Sequence, residues 1–188
     1  MKIRHALGRV AAIAAAATGL AALGLTGAAS ASTGQTTAPA VIAWPVCTIQ
    51  SYDGHYLSAI GGGGRTTDAI ETNRTRASTW ETFSLFPSGD GVSPTHWGIK
   101  TSNGHWLTAV GGGGRTTDVI HSNATQLQAW EKFTLVPLGR GWYAIQTFDG
   151  HYLTAVNSGG VGSAFDALHS NATQIQAWEE FFISCHGQ

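Results

Sequence analysis

Trp80-Glu81, Trp130-Glu131 and Trp178-Glu179 are the residues of this chain best suited to chemistry, because the same pair recurs at intervals of 50 and 48 positions. An indole face stacks against the apolar C–H face of a pyranose ring, and a neighbouring carboxylate accepts hydrogen bonds from sugar hydroxyls. Each pair opens a Trp-Glu-x-Phe segment ending at Phe83, Phe133 or Phe181. If Phe133 and Leu135 point into a core, period-two alternation puts Trp130 on the outer face and Glu131 on the inner one. The competing reading makes the tryptophans packing residues, since parity fails wherever a strand bulges.

Two further sets repeat with them. Tyr56, Trp106 and Tyr152 are opposite in parity to the leucine that follows each, so they either line the same pockets or cover a hairpin. The glycine-rich loops Gly61–Asp68, Gly111–Asp118 and Asn157–Asp166 carry Arg65 with Asp68, Arg115 with Asp118, and Asp166. These side chains either bind sugar hydroxyls or pair with each other. A phosphate loop needs a lysine and a following helix, and both are missing; the glycines instead permit positive φ, for a tight turn or a close backbone approach. The third loop is two residues longer and has no arginine, so three sites of unequal quality are expected.

Other chemistries fare worse. His55, His105 and His151 recur once per unit and are expected on different faces, which argues against a metal centre. Carboxylates such as Glu131 and Asp118 likewise recur once per unit and form no asymmetric pair in a deep cleft. The expectation is a protein that is not an enzyme and uses no cofactor. Asn73-Arg-Thr, Asn123-Ala-Thr and Asn171-Ala-Thr match the glycosylation sequon; descent from one unit explains them, with the Asn holding the turn before the last strand.

The elements that position these residues follow from the repeat. Trp97–Thr101, His105–Ala109, Val119–His121 and Trp130–Val136 read as the four strands of unit two, and Asp53-Gly54, Asn103-Gly104 and Asp149-Gly150 as type I′ hairpin signals. Three units of four strands make an all-β fold with pseudo-threefold symmetry, the β-trefoil: a six-stranded barrel capped by three hairpins. Its core would be layered from Ile49, Ile99, Ile145; Leu57, Leu107, Leu153; Ile70, Ile120, Leu168; Phe83, Phe133, Phe181; and Leu85, Leu135, Ile183.

Residues 1–31 read as a cleaved signal peptide: Lys2, Arg4 and Arg9, an apolar run, then Ala29-Ser30-Ala31. A flexible leader spans 32–43 and the trefoil domain 44–188, with repeats at about 47–92, 93–138 and 139–185. The two cysteines, Cys47 and Cys185, flank the repeats, and in an oxidising compartment they are expected to form a disulfide worth about 4–5 kcal/mol by chain entropy. Without residues 1–31, seven Lys and Arg face eleven Asp and Glu. That acidic balance argues against nucleic acid as partner, and no other stretch is apolar enough to insert into a membrane. A secreted, extracellular monomer is expected.

The unit Gly-x-Tyr/Trp-Leu-x-Ala, a glycine-rich loop, then Trp-Glu-x-Phe-x-Leu resembles the fascin-like β-trefoil superfamily, and within it secreted bacterial carbohydrate-binding modules. The resemblance spans Cys47 to Ile183 and implies polysaccharide binding, with β-glucan as the first polymer to try. Relatives in that superfamily also imply an alternative, a protein-binding trefoil of the actin-bundling or protease-inhibitor kind. Gln128-Ala129-Trp130 and Gln176-Ala177-Trp178 are also similar to the Gln-x-Trp element of ricin-type trefoils, where the tryptophan is largely structural.

Overall fold

A computed structural model describes residues 43–89, 96–162 and 166–186. The expected signal peptide, the leader up to residue 42 and the boundary between the first two repeats lie outside these residues. The described chain forms β1 (Trp44–Gln50), β2 (Tyr56–Ala59), β3 (Ile70–Arg74) and β4 (Thr82–Ser88). The second unit continues with β5 (His96–Thr101), β6 (Trp106–Ala109), β7 (Ile120–Ala124) and β8 (Lys132–Gly139). The third adds β9 (Trp142–Gln146), β10 (Tyr152–Ala155), β11 (Leu168–Ala172) and β12 (Glu180–His186).

All pairings are antiparallel, and six strands close a ring in the order β1, β4, β5, β8, β9, β12 and back to β1. Closure leaves the barrel with no open edge. The hairpins β2–β3, β6–β7 and β10–β11 extend from β1, β5 and β9. Inside, the expected layers are present: fourteen of the fifteen residues are buried, with Phe83, Phe133 and Phe181 at 0–1% exposure, while Leu135 is half-buried. The first and last strands pair with Cys47 opposite Cys185 in the β1–β12 register, and the two are joined as a disulfide.

Local structure departs from expectation in two places. The hairpin turns are not type I′, which needs positive φ at both central residues. Only the glycine is left-handed, at φ +89° in Gly54, +90° in Gly104 and +92° in Gly150. Gly54 N–H donates to Ser51 O and Ser51 N–H to His55 O, so the turn is a type I turn followed by a one-residue bulge. The second departure is at the fourth strand, which starts at Lys132 rather than Trp130. Ala129–Glu131 forms a single 3₁₀ turn, as do Thr79–Glu81 and Ala177–Glu179.

Candidate functional site

The 3₁₀ turns decide what the repeated Trp-Glu pairs present. Glu131 points inward at 6% exposure, and both carboxylate oxygens are taken: Gln128 N–H donates to Oε2 at 2.9 Å and Thr108 Oγ1 to Oε1 at 2.7 Å. Glu179 repeats this with Gln176 N–H at 2.9 Å and Thr154 Oγ1 at 2.6 Å. Glu81 accepts from Ser78 N–H at 2.8 Å, while Ser58, at the position of Thr108, has a buried hydroxyl without a partner among the described residues. The sugar-facing role expected of Glu81, Glu131 and Glu179 is therefore corrected: all three are buried, Glu131 and Glu179 pin the corner to the hairpin, and Glu81 closes its own turn.

Trp80, Trp130 and Trp178 face solvent at 43%, 47% and 46% exposure. They do so because the 3₁₀ turn swings the indole out, not because of strand alternation. Two of them have one edge supported: a Cβ placed on Gly62 would lie 3.7 Å from Trp80 Cδ1, and one on Gly112 would lie 3.5 Å from Trp130 Nε1. Phe148, which is 57% exposed, approaches the same point on Gly112 to 3.8 Å from the following repeat. Trp130 and Phe148 thus flank one glycine across a repeat border, and a small cavity of about 170 Å³ opens beside Trp130. The equivalent neighbour of Trp80 is Ser102, so the first border has only one ring.

The second aromatic set lies elsewhere. Trp106 packs over Gly98 and against Phe86, with ring centroids 5.3 Å apart, and Lys100 Nζ sits 4.8 Å above the indole. Tyr56 and Tyr152 occupy the matching half-buried positions on β2 and β10. None of the three lines the cavity beside Trp130.

The glycine-rich loops clasp the next repeat. Asn103 N–H donates to Gly62 O at 3.2 Å and Asn103 Nδ2 to Gly63 O at 2.9 Å. Asp149 N–H meets Gly112 O at 3.1 Å, and Asp53 N–H meets Ser158 O at 3.4 Å, which closes the circle. Gly113, at φ +128°, has no room for a Cβ, which would collide with Thr147 Oγ1 and Asp149 Oδ1. The close backbone approach anticipated for the glycines is thus satisfied within the chain.

Arg65 and Arg115 brace their own loops, donating from Nε to Thr67 O and Thr117 O. Arg115 also pairs with Asp118 at 3.4 Å, and His121 Nε2 meets the same carboxylate at 2.7 Å. Asp68, Asp118 and Asp166 do not belong to three separate sites: all three line one cavity of about 210 Å³ together with Ile70, Ile120 and Leu168, where the hairpins converge. Among the described residues, no group of three His, Cys, Asp or Glu is arranged to hold a metal ion.

The hairpin turns carry the shifted acids. Burial alone would raise the Asp53 carboxyl, but hydrogen bonds from Ser51 and His55, together with the His55 charge, outweigh it and hold the group below its ordinary value. Asp149 is lowered in the same way by Thr147 and His151. The contacts are short: His55 Nδ1 to Asp53 Oδ2 is 2.8 Å and His151 Nδ1 to Asp149 Oδ2 is 3.0 Å. In the second repeat the partner of His105 is the uncharged Asn103, at 2.9 Å.

No protein-family model matches the chain, and no curated protein matches it. Solved structures do. The designed threefold-symmetric protein ThreeFoil superposes with a TM-score of 0.61 at 12% identity, over 74% of this chain and 97% of its own. The Rhizoctonia solani agglutinin gives 0.60 at 14% identity, over 79% and 100%. Both are β-trefoil proteins. The fold is a β-trefoil.

The exo-β-1,3-galactanase 1,3Gal43A from Clostridium thermocellum also superposes, at 0.61 and 12% identity, over 76% of this chain but only 30% of the enzyme. At such identities the likeness speaks for the fold alone. Four aromatic residues outside the repeated sets also reach the surface: Phe148 and Tyr52 are exposed, and Trp142 and Phe182 are half-buried. Their signal lay in the departures from the repeat, since Tyr52 and Phe148 stand where the second unit has Ser102.

Proposed function

We propose that this protein is a secreted, non-catalytic, polysaccharide-binding trefoil whose contacts are the outward tryptophans Trp80, Trp130 and Trp178. One observation carries the reading: three half-exposed indoles sit on corners held rigid by buried carboxylates, and large exposed aromatics on a rigid scaffold mark interaction sites. The Trp130 platform is stronger than the Trp80 one because Phe148 adds a second ring beside it. The Trp80 platform, next to Ser102, is the weakest. An agglutinin and a β-1,3-galactanase among the structures sharing the fold support the carbohydrate class, as does the resemblance to bacterial carbohydrate-binding modules. Three weak sites on one body raise apparent affinity for a repetitive polymer by about 10²–10⁴ when they engage together.

The test is retention of the protein on insoluble β-1,3- and β-1,6-glucan, β-1,3-galactan, chitin, cellulose and xylan, beside a Trp80→Ala/Trp130→Ala/Trp178→Ala variant verified as folded by circular dichroism. Retention on one polymer that the folded variant loses is the expected outcome. Absence of retention on every polymer, or equal retention of both proteins, overturns the assignment and moves weight to a protein partner.

A further inference from the structure

Three aromatic residues break the threefold pattern, and all three meet at one place. Tyr52 stands where the second repeat has Ser102, Trp142 where the other repeats have Val46 and His96, and Phe182 where they have Ser84 and Thr134. The barrel closes at the matching positions without these rings, so the fold does not require them. Trp142 lies directly across from Phe182 in the β9–β12 register, and Phe182 directly across from Gln50 in the β12–β1 register. Trp142, Phe182 and Gln50 therefore form a lateral row across three adjacent strands, and Tyr52 follows in the turn just after β1.

The rings assemble into the wall of a groove. Trp142 and Phe182 have centroids 5.6 Å apart at an interplanar angle of 59°, and Tyr52 lies 5.8 Å from Trp142 at 48°. A cavity of about 380 Å³ opens between them, floored by Gln50, Ser51, Asp53 and Gly54. Gly141, at φ +84°, is what lets Phe182 lie flat there, because a Cβ would stand 2.7 Å from Phe182 Cε2. Tyr52 remains 51% exposed.

The groove combines apolar ring faces with polar groups in a way that suits one class of ligand. Gln50 donates its amide N–H to Gly54 O at 2.9 Å, which leaves the amide oxygen as an acceptor. The Tyr52 hydroxyl and the Trp142 indole N–H add a donor each, while the Asp53 carboxylate at the floor is already engaged by Ser51 and His55. A purely apolar partner would leave the Gln50 amide oxygen, the Tyr52 hydroxyl and the Trp142 N–H unpaired, whereas a sugar ring offers C–H faces and hydroxyls together. The groove is also continuous with a platform already described. Asp53 N–H bonds Ser158 O, and the turn Val156–Ser158 packs on Ala177–Glu179, which brings the turn bearing Tyr52 beside the Trp178 corner.

We infer that Tyr52, Trp142 and Phe182 form a non-repeated pyranose subsite that extends the Trp178 platform, so that the border between the third and first repeats binds an oligosaccharide over more than one ring. The inference rests on the carbohydrate reading above but assigns it a site that the repeated tryptophans do not contain. Recognition at this border then depends on oligosaccharide length, while the other two borders engage single rings.

The experiment uses the full chain and soluble oligosaccharides cut from each of the six polymers named above, in short and long forms. Binding is followed by titration calorimetry and by the Trp142 indole N–H resonance. A groove variant, Tyr52→Ser/Trp142→His/Phe182→Ser, installs residues that the matching positions of other repeats already carry, which protects folding. The expected result is a Trp142 resonance that moves on titration and a loss of about tenfold in affinity for long oligosaccharides in the folded groove variant, with little loss for short ones. A groove variant that binds like the parent while the triple Trp→Ala variant fails overturns the subsite and leaves the proposed function standing. A parent that binds none of the oligosaccharides overturns both.

Discussion

At each corner of the trefoil two adjacent residues, repeated with equal fidelity, have opposite fates. Glu131 is buried with both oxygens engaged, and Trp130 beside it is nearly half exposed. Repetition in sequence therefore does not separate architecture from surface available to a ligand. What separates them is the 3₁₀ turn, which sends the carboxylate in to satisfy backbone and hydroxyl donors and swings the indole out.

The sharpest test of that contrast is Glu131→Ala against Trp130→Ala. The first orphans the Gln128 N–H and the Thr108 hydroxyl in a buried setting and is expected to cost about 3 kcal/mol in urea denaturation. The second is expected to cost about 1–2 kcal/mol, because much of the indole surface is already in water. Equal costs would place Trp130 with the architecture and dissolve the comparison.

The glycines extend it to the inter-repeat clasp. Gly113→Ala is expected to destabilise by about 2–3 kcal/mol, since a left-handed φ coincides with a collision against Thr147 and Asp149. Gly54→Ala, also left-handed but with open space around it, should cost about 1 kcal/mol. Thermal melts of the two variants that coincide would show that crowding at the clasp is unimportant.

A smaller effect distinguishes the clasps from each other. Folding lowers the Asp53 and Asp149 carboxyls, so the native state binds fewer protons than the unfolded chain as the medium becomes acidic. Their contribution is present above the unfolded carboxyl value near pH 4 and is lost as pH falls through the lower folded values. Asn103, which does not titrate, holds the same place in the second repeat. Asp53→Asn/Asp149→Asn should therefore flatten the fall in melting temperature between pH 5 and pH 3; an unchanged slope would assign that fall to other groups.

The smallest predicted change repairs the one incomplete corner. Ser58→Thr supplies the hydroxyl geometry of Thr108 and Thr154 to Glu81 and should add about 0.5–1 kcal/mol. A destabilised variant would mean that the space beside Glu81 is smaller than at the other corners.

Much of the fold was legible because its signals are local and repeated. Leu57, Leu107 and Leu153 alternate with polar neighbours on short strands, and the same pattern three times names both the layers and the symmetry. The candidate surface was legible only in part. Trp130 was selected from an alternation that does not operate there, since the residue lies on a 3₁₀ turn. Asp68, Asp118 and Asp166 recur once per unit, about 50 positions apart, yet they line one cavity. Equivalence in sequence gives no information on distance from the symmetry axis: near it equivalent residues meet, and far from it they part.

By itself the amino-acid sequence determined the three units, the strand order within each, the apolar layers and the pairing of Cys47 with Cys185. Those features depend on period-two patterning repeated three times and on Cys47 and Cys185 being the two cysteines, one on either side of the repeats. The tertiary structure alone decided which side of each corner faces water, which glycine clasps which turn, and where Tyr52, Trp142 and Phe182 meet. These depend on contacts between residues as much as 130 positions apart in the chain, and closing the barrel is the step that brings such residues together.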